Sequence, residues 1–395
     1  MSNLPILLLA GLILCTFFLV SFASQKLRLP SVLVYIALGA GVALIFPESH
    51  TVHLAGEVGI VLLFFILGME FPLARMVDIS KKIWPAGFLD VVFNIGGAMA
   101  LAMLFGVHPM GALILGSVAY ATSSSISAKM LQEQKRLANP ETEFILALLI
   151  FEDLVAPVLV SFIAGTQSGE EMSAAFVALL FLKILLLMGG AVLMGHYGFR
   201  RLTDFITRHM DKDFMPLLAV GIALGYAGLA IALGLSEILG AFLAGVMLSE
   251  TGKSSEVEHL LLPLRDVTLP FFFYWFGTTI NVLEGIPMVP LMLLLLVWAI
   301  LGKLLTGFIG SRLYGLSEKV SVRAAFSLVH RGEFSAVIAS LAPPQLRVFS
   351  GVYILATAFI GVFFFQRAPA AAKWSHGRWF KKPGSPDKKE LAGEV

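Results

Sequence analysis

Two adjacent carboxylates stand in an apolar stretch, Leu148-Leu149-Ile150-Phe151-Glu152-Asp153-Leu154-Val155-Ala156-Pro157. A charged side chain at the centre of a bilayer costs about 2.5–3.5 kcal/mol on insertion scales, so such a residue is read as functional. On a helix, neighbours project about 100° apart, so Glu152 and Asp153 can face different partners. Pro157 has no N–H, which leaves the Asp153 carbonyl, four residues earlier, without its helical donor. Carboxylate and carbonyl oxygens are what a hard cation needs in place of water.

Further polar residues interrupt other apolar runs. Thr122-Ser123-Ser124-Ser125 supplies hydroxyls, with ordinary helix packing as the simpler reading. Lys303 lies in Gly302-Lys303-Leu304-Leu305 and needs an acidic partner to stay charged at depth, unless it snorkels to an interface. Glu152 or Asp153 is the expected partner. His330-Arg331-Gly332-Glu333 interrupts another run. Arg331 and Glu333 are too close in sequence to pair across a turn, so they are expected to act structurally, capping broken ends or pairing with other helices. Asp90 and Asn94, at i,i+4 spacing, either line a pathway or bond neighbouring helices. Lys183 is expected to anchor its helix, and Glu57, Glu70 and Glu237 to be interfacial or packing residues. His53, His108 and His330 show no metal spacing, and no cofactor is expected.

The elements that must hold these residues are membrane helices. Hydrophobic residues make up 58% of the 395-residue chain, charged ones 14%, and mean hydropathy is +0.88. A soluble domain is about half apolar and a quarter charged. A net charge of +2 argues against nucleic-acid binding, and a single cysteine, Cys15, excludes an internal disulfide. About thirteen apolar runs are long enough to span or nearly span a bilayer. They lie near 4–23, 31–46, 55–71, 83–106, 109–132, 143–164, 172–197, 213–233, 235–250, 262–282, 287–311, 320–342 and 346–366. The first has neither a basic leader nor a cleavage site and reads as a retained span.

With the N-terminus outside, nearly all loop Lys and Arg fall inside, from Lys26 and Arg28 through Arg75, Lys135, Arg136, Arg265 and Arg323. Only Arg347 falls outside, where Glu48, Glu170, Glu171 and Glu284 collect. Residues 367–395 read as a basic, disordered cytoplasmic tail close to anionic lipids. An offset of seven spans relates two inverted repeats, about 4–164 and 213–366, with 172–197 as linker helix. Leu38-Gly39-Ala40-Gly41 and Leu239-Gly240-Ala241 match weakly across this offset. The interrupted fifth and twelfth spans match better, and paired interruptions of this kind mark transporter sites.

On Gly59-Ile60-Val61-Leu62-Leu63-Phe64-Phe65-Ile66-Leu67-Gly68-Met69-Glu70, Phe151-Glu152-Asp153, Leu239-Gly240-Ala241-Phe242-Leu243-Ala244-Gly245, Lys303 and Arg331-Gly332-Glu333, the chain resembles the monovalent cation:proton antiporters, in the branch of sodium/proton and potassium/proton exchangers. The resemblance covers about residues 4–366, the membrane domain. It implies an all-α integral membrane fold with two inverted repeats and crossed discontinuous helices, a homodimer, and an elevator-like movement. It also implies that Asp153 binds the transported monovalent cation and the proton. Glu152 stands where electrogenic sodium exchangers carry Asp, electroneutral ones Asn and potassium-efflux relatives Gln.

The expected function is therefore antiport of protons against Na⁺, or else K⁺, in a bacterial or archaeal cytoplasmic membrane. Asp153 and Glu152 form the ion site, Thr122, Ser123 and Ser124 lend oxygens, and Lys303 is the ion-pair partner. A monovalent cation channel and an organic-anion symporter are the alternatives; adjacent acids argue against the second. An intramembrane aspartyl protease would need aspartates from two helices, such as Asp90 and Asp153, but the surrounding catalytic sequence is missing.

Overall fold

A computed structural model of the chain describes residues 6–26, 31–43, 50–70, 73–166, 174–199, 214–251, 254–280 and 285–378. The described residues are almost entirely helical. In chain order they form α1 (Ile6–Lys26), α2 (Ser31–Ala43), α3 (His50–Met69), α4 (Leu73–Asp90), α5 (Gly97–Leu104), α6 (Pro109–Val118), α7 (Ser124–Glu133), α8 (Pro140–Thr166) and α9 (Ala174–Leu193). The second half holds α10 (Met215–Ala232), α11 (Glu237–Ser249), α12 (Ser254–Thr278), α13 (Val289–Leu313), α14 (Glu318–Phe326), α15 (Glu333–Ser340) and α16 (Pro344–Arg378). Each expected apolar run carries a helix. Among the described residues, seven helical stretches are long and apolar enough to cross a membrane by themselves, including 140–166, 289–313 and 344–375.

Two runs break where the sequence is polar. α6 ends at Val118 and α7 begins at Ser124; α14 ends at Phe326 and α15 begins at Glu333. The extended segments between the halves cross, and Thr122 and Arg331 form an antiparallel bridge there. Each break thus gives the other a partner for backbone that lipid could not satisfy. A third irregularity had no clear sequence signal. Between α4 and α5 the chain makes a π-helical turn, Val91–Gly96, which turns Asp90 and Asn94 toward the crossing.

The helices form two bundles. One packs α2 and α3 against α11 and α12, with α1 and α10 on its flanks. The other packs α4–α8 with α13–α16 around the crossing, and α9 lies between them against α8 and α11. Backbone contact welds the first bundle. A Cβ on Gly39 would strike the Tyr274 carbonyl, and one on Gly277 the Ile36 carbonyl, so α2 and α12 touch main chain to main chain. Gly68 and Gly245 do the same for α3 and α11, against the carbonyls of Phe242 and Phe65. Without a hydrophobic drive between helices in lipid, such close approach is a main source of cohesion.

The end of the chain differs from expectation. α16 continues to Arg378 rather than stopping near 366. Ala368 and Ala372 stay buried, and Arg367 lies over the Phe363 ring at 5.2 Å, so alanine-rich sequence carries the helix on past the apolar span. Residues 379–395, with the basic cluster from Lys381 onward, lie outside the described residues, as do Arg28, Glu48, Glu170, Glu171, Glu284 and residues 200–213.

Gly245→Val should destabilise the protein by at least about 1–3 kcal/mol, because a side chain there must push backbone aside. Gly189→Ala, where no heavy atom lies within 4 Å, should be neutral or stabilising by up to about 1 kcal/mol. Thermal unfolding in detergent compares the two, and equal melting temperatures would contradict the packing argument.

Candidate functional site

Lys303, near the middle of α13, is completely buried, and so are Asp90 and Glu152. Its ammonium donates to Asp90 Oδ1 at 2.9 Å and Oδ2 at 3.0 Å, and to Glu152 Oε1 at 2.9 Å. One cation is thus shared by two carboxylates from α4 and α8. The Asn94 amide, one π turn on, donates to Asp90 Oδ1 at 2.8 Å and to Thr306 Oγ1 at 3.3 Å. At that depth the charges survive only because each has an opposite partner and saturated hydrogen bonds.

The released ends of the broken helices are closed by the same side chains. Glu152 accepts from the Thr122 backbone N–H, in a very short contact, and from Thr122 Oγ1 at 3.1 Å. Arg331, also fully buried, donates from Nε to the carbonyl of Ala119, which caps α6, at 2.8 Å, and from Nη1 to Val329 at 3.0 Å. Its Nη2 reaches Asn94 Oδ1 at 3.4 Å, joining the crossing to the lysine cluster. Ser335, in α15, donates to the Val118 carbonyl at 2.8 Å. Carbonyls at the end of one half-helix are therefore satisfied by residues of the opposite one.

Asp153 points the other way from Glu152, as the angular offset of neighbours requires. It accepts from Ser124 Oγ, at 3.0 Å to Oδ2 and 3.2 Å to Oδ1. It lines a cavity of about 760 Å³ between the two bundles. From the first bundle come Leu63, Phe64, Leu67, Glu70, Glu258 and Arg265; from the second come Ser124, Leu149, Ile150, Asp153, Glu333 and Phe334. Phe64 and Phe334 meet edge to face across the seam, with ring centroids 4.7 Å apart. Four carboxylates and one guanidinium on the wall make the space attractive to cations.

The structure brings together the residues singled out by sequence but divides them into three groups. Lys303 meets Glu152, and Asp90 completes the cluster. In the sequence, the i,i+4 spacing of Asp90 to Asn94 fits a pathway lining and a helix–helix bond equally; the structure places Asp90 on Lys303. The hydroxyls do not converge on Asp153: Thr122 serves Glu152, Ser124 serves Asp153, and Ser123 donates to Glu333 Oε2 at 2.6 Å while accepting from the Ile126 N–H as the cap of α7. Arg331 closes the backbone breaks, whereas Glu333 belongs to the cavity wall. His330 is buried, with Nε2 3.3 Å from Ser127 Oγ.

A family model described as sodium/hydrogen exchanger, transmembrane, matches residues 11–367. The ammonium/H⁺ antiporter subunit AmhT of Alkalihalophilus pseudofirmus is 51% identical over 375 residues, covering 95% of this chain and 96% of its own length. The K⁺/H⁺ antiporter subunit KhtU of Bacillus subtilis is 31% identical and covers 80% of this chain and 78% of its own. The sodium proton antiporter MjNhaP1 of Methanocaldococcus jannaschii, at 17% identity, superposes with a TM-score of 0.69 over 92% of this chain and 97% of its own, which shows a shared fold. The chain belongs to the sodium/hydrogen exchanger family and is an integral, multi-pass membrane protein.

Removing the shared cation should cost more than removing either anion. Lys303→Ala strands two buried carboxylates and should destabilise the protein by about 3–5 kcal/mol or more. Glu152→Gln leaves a neutral Lys303–Asp90 pair and keeps an acceptor for Thr122, so it should be far milder. Combining Lys303→Gln with Glu152→Gln leaves one acid, Asp90, beside the buried Arg331 and should recover much of the loss. Melting temperatures of the set test this; a Lys303→Ala protein that melts like the wild type would refute the cluster.

Proposed function

We propose that the chain is a secondary antiporter that exchanges protons for a monovalent cation at Asp153. The observation that carries this reading is the place of Asp153: buried at mid-helix, beside the crossed half-helices, and lining the cavity between two bundles. A carboxylate there can hold a proton or a cation but not both. Glu152 is held by Lys303 and Thr122, so it sets the local field and fixes the crossing, while Asp153 exchanges. Ser124 lends a hydroxyl, and the N-terminal ends of α7 and α15 favour the anionic form of acids near them.

The cation is of the ammonium and potassium size class, with sodium, favoured by the sequence, as the second reading. Support comes from AmhT and KhtU, named for ammonium and potassium. The chemistry agrees. Carboxylate oxygens in a roomy cavity of about 760 Å³ suit an ion that gives up its water easily. With the N-terminus outside, the end of α3 and the start of α12 that frame the cavity face the cytoplasm, so the cavity opens inward. Movement of the α4–α8/α13–α16 bundle against the other, which would form the interface of a homodimer, then carries Asp153 to the outer side. A channel would use similar oxygens but would conduct without proton counterflow.

In sealed liposomes, K⁺ or ammonium gradients should drive opposite proton movement, with protein-free vesicles correcting for ammonia permeation. Asp153→Asn should abolish exchange while the protein melts normally. Wild-type exchange in that variant would refute the site. Protons and cation compete, so acid pH fills Asp153 with protons beforehand. The apparent cation KM should rise as pH falls, approaching about tenfold per unit where protonation dominates. A KM constant from pH 6 to 9 would refute a shared site.

A further inference from the structure

The cavity holds a second deep carboxylate beside the one that exchanges proton and cation. Glu333 opens α15 and is 9% exposed. It is tied to the transport site through consecutive residues. Ser123 donates to Glu333 at 2.6 Å, and Ser124 donates to Asp153 at 3.0 Å. One short turn at the start of α7 therefore holds both carboxylates, one by each hydroxyl, and both line the same cavity. The Ser123 hydroxyl also accepts the Ile126 N–H at 3.2 Å, which fixes its proton on the Glu333 side. A 2.6 Å O–H···O contact lies at the short end of the hydrogen-bond range. Glu70 and Glu258 also line the cavity, but Glu70 is exposed, at the end of α3.

We propose that Glu333 is a second ligand of the transported cation and that the Asp153–Glu333 pair makes the site selective for a cation that donates N–H hydrogens, ammonium above all, over a spherical cation of the same size. This rests on the antiport reading above and adds its specificity. A spherical ion takes any oxygens that replace its water. Ammonium needs acceptors in separate directions, and it gains most where the acceptors are charged. Two carboxylates held apart by neighbouring serines offer that arrangement, whereas Asp153 alone offers acceptors on one side. Asp153 remains the group that releases and takes the proton.

The test compares ammonium with Rb⁺ in the wild type and in Glu333→Gln, both in liposomes. Glu333→Gln should lower the ammonium-to-Rb⁺ ratio of apparent affinities about tenfold. Glu70→Gln, a change at the cavity mouth, should weaken both cations together and leave the ratio alone. An unchanged ratio in a Glu333→Gln protein that melts normally would overturn the proposal while leaving exchange at Asp153 intact. If that variant does not fold, carboxyl-directed carbodiimide labelling of the wild type decides. Ammonium should protect both Asp153 and Glu333, and Rb⁺ should protect Asp153 more than Glu333. Protection of Asp153 alone by ammonium would overturn the second ligand. Absence of any exchange by the wild type would instead sink the antiport reading.

Discussion

Backbone released at mid-membrane is the constraint from which the rest of the structure follows. Where α6 stops before α7 and α14 before α15, N–H and C=O groups lose their helical partners in a region where lipid offers none. The two breaks cross so that Thr122 bridges Arg331, and the remaining groups are taken up by side chains that carry charge. Arg331 covers the end of α6 at Ala119, and Glu152 covers the Thr122 N–H. Those charges then need partners of their own, which Lys303, Asp90 and Asn94 supply. A buried ionic cluster of this kind fixes one arrangement rather than adding stability over an apolar core. Its consequence for function is separation: the cluster holds Glu152 fast, and Asp153, on the next position of the same helix, is turned to the cavity.

The division between a rigid ionic crossing and an exchangeable carboxylate agrees with the division into bundles. The α2–α12 and α3–α11 contacts are backbone against backbone through Gly39, Gly277, Gly68 and Gly245, which resist sliding. The seam between the bundles is different. It contains the cavity, side-chain packing of α11 on α8 and of α12 on α15, an aromatic edge contact between Phe64 and Phe334, and a hydrogen bond from the Ser236 N–H to Ser161 Oγ at 3.2 Å on the side away from the cavity. Contacts of this sort can be exchanged at modest cost, which is what movement of one bundle past the other requires.

Much of this was legible in the sequence. The spans follow from apolar run length, and the two breaks from polar interruptions at matching places in each half. Glu152, Asp153, Lys303 and Arg331 announce themselves because charge at that depth has few bland explanations. What was hidden depends on angles and register. The π turn at Val91–Gly96 leaves no composition signal, so Asp90 could not be placed on Lys303 from its number alone. The hydroxyls of residues 122–124 look equivalent in sequence, yet the turn into α7 sends them to Glu152, Glu333 and Asp153 in turn. Glu333 reads with Arg331 as a structural residue of the break, but the extended Gly332 cap of α15 lies between them, and Glu333 faces the cavity.

The central claim is that one carboxylate holds proton and cation alternately. Calorimetric titration of the purified protein with K⁺ or ammonium, in buffers of different ionisation enthalpy at one pH, tests it without transport. Exchange at Asp153 predicts an apparent enthalpy that varies linearly with the buffer's ionisation enthalpy, with protons released on binding and more of them at lower pH. Cation binding whose enthalpy is the same in every buffer, with no proton released at any pH, would contradict it.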